Sequence, residues 1–253
     1  MKGIPYAKLV AGIVVLTVVM SVIMLIPNWN GTEASTAAPK IDDLLNVMIV
    51  LSSFVFSIVI VMLGYALWRW RAKPGDESDG EPIHGNTKLE IAWTAIPTII
   101  VLFGAAYSWI TLSDIEARSA DRMVVNVTSQ QYEWGFEYPA QGAIKTRELH
   151  VPVNTQDEFK LHALDVIHSF WVPEWRIKKD NVPGITTRAI VTPDKIGTYQ
   201  LICTELCGFG HATMRAKVVV ESQNCFDQWV AAVKAGGDGS ADACHDAEEA
   251  QSG

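Results

Sequence analysis

Three long apolar stretches without a charged residue constrain this chain more than any other feature. Leu9–Ile26, Leu44–Leu67 and Ile91–Leu112 run for 18, 24 and 22 residues. A helix needs about 20 apolar residues to cross the hydrocarbon core of a bilayer, so the second and third stretches are read as transmembrane helices. Pro97, inside the third, is compatible with a membrane helix because neighbouring groups can satisfy the carbonyl it frees. The first stretch is open to two readings. Lys2 and Lys8 lead into it and the small residues of "EASTAAP" (33–39) follow it, as in a signal peptide spanning residues 1–38. At 18 residues it is also just long enough to remain as an extra transmembrane helix. Either way, the chain that follows emerges on the outer side.

Residues 39–112 then form a helix hairpin, with helices over 44–67 and 91–112 and both ends outside. Charge agrees with this orientation. The connecting loop, 69–88, carries Arg69, Arg71, Lys73 and Lys88, as cytoplasmic loops tend to, and Trp68, Trp70 and Trp93 suit the interfacial belts. Everything after Ser113 is therefore exported. That part holds 13 Lys and Arg against 20 Asp and Glu, a balance of −7 in a chain of net charge −8. So acidic a domain would repel phosphate, which excludes nucleic acid as a partner and favours basic ones.

The exported part reads as β. Short runs rich in Val, Ile and Thr fall at 123–128, 148–153, 158–164, 186–192, 197–204 and 214–220, separated by turn residues. Such regular punctuation predicts an all-β sandwich of Greek-key type over 113–222. In 223–253 the pattern changes to a short helix, with Phe226, Trp229, Val230 and Val233 on one face, and then to a polar, acidic tail expected to be loose.

One loop concentrates chemistry. "CTELCGFGHATM" (203–214) holds two thiols, an imidazole and a thioether within twelve residues. Cys203 and Cys207 could form a disulfide in an oxidising compartment, or join His211 on zinc. Met214 argues for copper, since a thioether is a poor zinc ligand and a good copper one. A single copper would need one cysteine, so two suggest two metals sharing bridging thiolates. Gly208 and Gly210 let the loop curl until its ligands converge.

This loop, together with "DVIHSFWVP" (165–173), resembles the dinuclear copper (CuA) domain of subunit 2 of the haem–copper cytochrome c oxidases. The resemblance runs from the helix hairpin to about Glu221 and predicts a cupredoxin-like sandwich. It implies two copper ions bridged by Cys203 and Cys207. His168 and His211 would cap one copper each, Met214 would ligate one, and the backbone carbonyl of Glu205 the other. The Glu205 carboxylate would bind a Mg or Mn ion at the interface with the catalytic subunit. Of the remaining histidines, His150 and His162 lie in strand-like runs, His84 in the cytoplasmic loop and His245 in the tail. Spacing alone does not separate His168 from His162.

Two further segments extend the resemblance. "LEIAWTAIP" (89–97) is similar to the start of the family's second helix, which would put Glu90 near the entrance of a proton path. A simple helix-start carboxylate is the other reading. "SQQYEWGFEY" (129–138) resembles the aromatic segment that receives electrons, with Trp134 retained and Tyr132 where a tryptophan is usual. Some relatives append a haem domain with a Cys-x-x-Cys-His motif. Here Ala241 stands at the first cysteine position, so no covalent haem is expected, and Cys225 and Cys244 are expected to pair as a disulfide.

The resemblance implies an electron-transfer subunit of a respiratory terminal oxidase in a bacterial cell membrane, its copper domain on the periplasmic or extracellular face. Electrons would pass from a c-type cytochrome, docked at acidic groups such as Glu137 and Asp165, through copper to haem in catalytic subunit 1. There oxygen is reduced with proton pumping, in company with other oxidase subunits. A quinol oxidase subunit keeps this fold but lacks the cysteines. A nitrous oxide reductase carries the motif after a large catalytic domain that 253 residues do not contain. A membrane-anchored copper-binding or copper-delivery protein would need exchangeable metal.

Overall fold

A computed structural model describes residues 4–72, 74, 75, 79, 82, 84–237 and 243–252. Lys73 of the basic loop and Ala241 lie outside the described residues. The chain divides into two compact units, Met1–Trp29 with Asp43–Thr111, and Asn30–Asp42 with Leu112–Gly253.

The first unit is helical. Helices α1 (Tyr6–Leu25), α2 (Ala38–Arg69) and α3 (Thr87–Ile115) are each long and apolar enough to cross a membrane. They outrun the uncharged stretches because helical hydrogen bonding continues into the polar flanks. The start of α3 shows how. The Asn86 side chain accepts from the Leu89 N–H (3.2 Å), and the Glu90 carboxylate accepts from the Asn86 N–H (3.1 Å). Together they satisfy amides that the helix itself leaves open. At the two glycines that face a neighbouring helix, a side-chain carbon would make ordinary contact. A Cβ on Gly12 of α1 would meet Val61 of α2 at 3.7 Å, and one on Gly104 of α3 would meet Met48 of α2 at 3.8 Å.

The second unit is a sandwich of two five-stranded sheets. One runs β3 (Ile144–Thr146), β2 (Glu133–Tyr138), β1 (Met123–Gln130), β5 (Asp157–Ala163), β8 (Thr187–Val191). The other runs β4 (Leu149–Pro152), β10 (Arg215–Glu221), β9 (Gly197–Cys203), β6 (His168–Val172), β7 (Ile177–Asn181). β1 pairs with β5, and β4 with β10, in parallel; the other ladders are antiparallel. The alternation in β2 buries Trp134, Phe136 and Tyr138 and turns the residues between them outward. Aromatic rings lock the sheets together: Phe159 lies 5.2 Å from Phe170, and Trp134 meets Phe170 edge-on at 6.1 Å.

Four strands lie outside the six Val-, Ile- and Thr-rich runs, namely β2, β3, β6 and β7. β7 ("IKKDN") is a polar edge strand with only Asn181 fully buried, so it lacks the apolar face by which a strand is recognised. One boundary also differs from the sequence reading. Residues 30–42 belong with the sandwich and not with an N-terminal segment ending at 38. Ala34 and Ala38 are fully buried, and Ser35 bridges to Pro193. Arg176 grips this stretch, forking onto the Asp42 carboxylate at 2.9 Å and donating to the carbonyls of Gly31 and Thr32.

The described part of the tail is not loose. Helix α4 (Gln223–Lys234), N-capped by the Ser222 hydroxyl at 3.2 Å from the Cys225 amide, buries Cys225, Phe226, Trp229 and Val230. A second helix, α5 (Ala243–Ser252), is tied back to it by a Cys225–Cys244 disulfide, Cα to Cα 5.5 Å. Glu248 accepts from the Ser222 N–H at 2.9 Å, and His245 is buried with Nε2 3.1 Å from the Thr198 hydroxyl. The cross-link removes chain entropy that would otherwise keep so polar a segment free.

Candidate metal centre

Strand β9 delivers Cys203 to one end of the sandwich, and the chain then turns through residues 204–210 before re-entering as β10. The turn is pinned at its base, where the Cys203 N–H donates to the Met214 carbonyl (3.1 Å) and the Thr204 N–H to the Ser169 carbonyl (3.2 Å). Gly208 has φ +131°, and a Cβ there would lie 2.6 Å from the Tyr132 hydroxyl, so both its conformation and its neighbours require glycine. Gly210 is equally crowded: its Cβ would fall 2.6 Å from the Tyr132 ring. Gln131 closes the turn from the other side, its Nε2 donating to the Cys207 carbonyl at 2.5 Å.

Within this frame the soft donors converge. The sulfurs of Cys203 and Cys207 are 3.8 Å apart, too far for the roughly 2.05 Å of a disulfide bond. Each has its own imidazole: His168 Nδ1 is 3.8 Å from the Cys203 sulfur and His211 Nδ1 is 3.6 Å from the Cys207 sulfur. Met214 Sδ lies 3.9 Å from the Cys207 sulfur, and the Glu205 carbonyl oxygen 3.4 Å from the Cys203 sulfur. Cys203, Cys207, His168 and Met214 are buried. Burial, and next the neighbouring Cys203, push the Cys207 thiol up to about 11. A thiol so placed does not ionise at neutral pH unless a cation takes its charge, so Cys207 suits a metal that displaces its proton.

His168 is reached from elsewhere in the chain. It opens β6, whose Phe170 pairs with Cys203 of β9, and this register brings the ring to the sulfurs. Its Nε2 is 2.9 Å from the Asp165 carboxylate, which turns Nδ1 toward Cys203. Asp165 also accepts from the amides of Gln131 and Val166, both at 2.7 Å. Burial alone would raise its pKa, but these hydrogen bonds hold it below the usual carboxylate range. The residue read from sequence as a docking charge is thus engaged with His168 and the loop backbone. An Asp three positions before a candidate ligand was the available signal. Gln131 had none.

The aromatic pair lies beside the centre. Trp134 is buried, edge-on to His168 at 6.3 Å, while Tyr132 is exposed and covers Gly208 and Gly210. Glu205 directs its carbonyl inward and is itself exposed. Glu137 shares a groove on the β1–β3 face with Glu133, and accepts from the Asn126 side chain at 3.2 Å. Arg147 holds the half-buried Glu133 carboxyl below its ordinary value. Glu90 is exposed at the start of α3, in its capping role. Of the histidines set aside, His162 lies on β5 with Nδ1 3.3 Å from the Ile185 carbonyl, while His150 is buried against Glu221 (3.0 Å) and stacked on Trp229.

Known proteins resemble both units. The family model for the cytochrome c oxidase subunit II transmembrane domain matches residues 28–110, and that for the periplasmic domain of the same subunit matches residues 144–223. A cytochrome c oxidase subunit 2 from Thermostichus vulcanus is 32% identical, the match covering 82% of this chain and 81% of that one. A quinol oxidase subunit 2 from Bacillus cereus is 30% identical, covering 76% of this chain and 68% of its own. The crystal structure of the periplasmic domain of cytochrome oxidase subunit II from Bradyrhizobium japonicum aligns at 27% identity, with a TM-score of 0.45, over 46% of this chain and 96% of that one.

Proposed function

Because the chain belongs to the cytochrome c oxidase subunit 2 family, we propose that it is the electron-transfer subunit of a respiratory terminal oxidase. It takes electrons from a c-type cytochrome and passes them to haem in the catalytic subunit, where oxygen is reduced to water with proton pumping. Its exported sandwich holds a dinuclear copper centre. The observation that carries this reading is the paired donor set: two unbonded thiols 3.8 Å apart, each with its own imidazole at 3.6–3.8 Å. Thiolates, imidazoles and a thioether are the soft ligands that select copper, and all sit on strand ends and a braced turn.

Cys203 and Cys207 would hold both metals, His168 and His211 would each cap one, and Met214 and the Glu205 carbonyl would complete the set. When bound, a thiolate-bridged copper pair takes up and releases one electron with little change in bond length. The protein's part is to keep the ligands still. Asp165 holds His168 in the tautomer that presents Nδ1, Gln131 ties down the Cys207 carbonyl, and Tyr132 fills the space over the two glycines. Trp134 and Tyr132 are the candidate path for incoming electrons. The Glu205 carboxylate, exposed in this chain, is the candidate holder of a Mg or Mn ion toward the catalytic subunit, and Glu90 the candidate proton-path residue.

A quinol-oxidising role, suggested by the Bacillus cereus relative, is disfavoured by the two free buried cysteines. Copper analysis with absorption and electron paramagnetic resonance spectra of the purified chain separates the readings. Two coppers per chain, with one unpaired electron shared over both nuclei, is the expected result, and Cys207→Ser should abolish that sharing. A single copper, or a stable zinc-only protein, would refute the dinuclear centre.

A further inference from the structure

Far from the acidic character of the exported part, one groove concentrates positive charge. Five of its 13 Lys and Arg line a hollow of about 280 Å³: Arg118, Arg176, Lys178, Lys179 and Arg188. Glu116 is the one acid among its described lining residues. The hollow lies at the seam between the two sheets, where the edge strands β7 and β8 meet. Its apolar wall includes Leu112 and Ile115, the last turn of α3. The uncharged stretch of that helix ends at Leu112, so the groove opens at the level where the helix leaves the hydrocarbon.

Two of the five cations are already engaged, Arg176 with Asp42 at 2.9 Å and Arg188 with Glu158 at 3.5 Å. Arg118, Lys178 and Lys179 are exposed and form no ion pair among the described residues. Glu116 in the lining, and Glu158, on which Arg118, Arg122 and Arg188 all act, offset part of this charge and leave Lys178 and Lys179 as the surplus that an anion would satisfy. A ligand with a charged head and an apolar tail would match a cationic hollow floored by the end of a membrane helix.

We propose that this groove binds the phosphate of an anionic glycerophospholipid of the outer leaflet. Arg118, Lys178 and Lys179 bind the phosphate oxygens, while Leu112 and Ile115 pack beside the glycerol and the first methylenes. The site is independent of the metal centre, and its test does not involve electron transfer.

The test uses the full chain in neutral detergent, offered phosphatidylglycerol, phosphatidylcholine or inorganic phosphate and read by native mass spectrometry. Phosphatidylglycerol should be retained in preference to phosphatidylcholine. Lys178→Gln with Lys179→Gln should weaken its retention by about 25-fold, taking roughly fivefold per basic group near an anionic surface. Lys145→Gln with Lys195→Gln, exposed elsewhere on the domain, should leave it unchanged. Arg118→Gln, on a different segment, should weaken retention about fivefold and guards against a folding defect in the lysine pair. Equal retention of the two lipids, or no effect of either groove variant, would overturn the proposal. So would displacement of the lipid by an equal concentration of inorganic phosphate, which would mark a free-anion site. Loss of a co-purifying catalytic subunit with lipid preference intact would likewise overturn it, in favour of a protein interface.

Discussion

At the scale of single residues, Asp165 and Asp157 show how burial decides what a carboxylate does. Asp165 spends its oxygens on His168 and two loop amides. Asp165→Asn should therefore weaken copper binding, by about 10–100-fold for the loss of such a supporting bond, and shift the visible spectrum, which a copper titration would follow. The salt dependence of donor oxidation should not change. Glu137→Gln, in its groove away from the ligands, should do the opposite. Asp157 is fully buried, and neither oxygen has a hydrogen-bond partner among the described residues, so burial raises its pKa well above the ordinary value. An acid with a raised folded pKa stabilises most below its unfolded value, about 3.9, and loses that stability as pH rises through the folded value. Asp157→Asn should remove this loss, flattening stability against pH by up to about 1.4 kcal/mol per pH unit. Denaturant unfolding from pH 4 to 8 would measure it. Glu158 has the opposite sign. Arg122 lowers its pKa, so its stabilisation is present above about 4.3 and lost as pH falls through the folded value.

Among elements, the stretch between α1 and α2 settles more than its length suggests. Ala34 is in the sandwich core, and the carbonyls of Gly31 and Thr32 accept from Arg176, whose side chain is 6% exposed. Cleavage within 33–39 would empty part of the core and strip acceptors from a buried guanidinium, at about 1–3 kcal/mol for an unmet donor. The mature chain should thus begin before Asn30. Intact mass and N-terminal sequencing of the purified protein would show it, and a terminus between 34 and 39 would contradict it. At the other end, α4 owes its place to its apolar face, while α5, lacking one, depends on the Cys225–Cys244 bond and the Glu248–Ser222 contact.

For the molecule as a whole, charge and exposed apolar surface offer two ways of meeting a donor. The exported part carries a balance of −7, which should steer a basic cytochrome c and make its oxidation slow as salt rises, since exposed charges are screened beyond about 10 Å at 0.1 M. Phe209 and Leu206, in the loop after β9, are also bare, at 105% and 79% exposure. A rate independent of ionic strength in stopped-flow oxidation would mean that these side chains, and not the acidic groups, make the encounter.

What the sequence determined by itself was whatever depends on local composition and short spacing. The membrane helices follow from the absence of charge over 18 to 24 residues, because each charge in hydrocarbon is costly. The donors Cys203, Cys207, His211 and Met214 share one turn and could be read together. Strand β2 is also legible, in the alternation of "EWGFEY". The tertiary structure alone decided which distant groups join them. His162 and His168 both lie on strands, but β5 belongs to the opposite sheet, whereas the β6–β9 register sets Phe170 across from Cys203 and brings His168 to its sulfur. Register, sheet membership and the docking of α5 are non-local: they arise from ladders and cross-links between segments far apart in the chain, and no window of residues contains them.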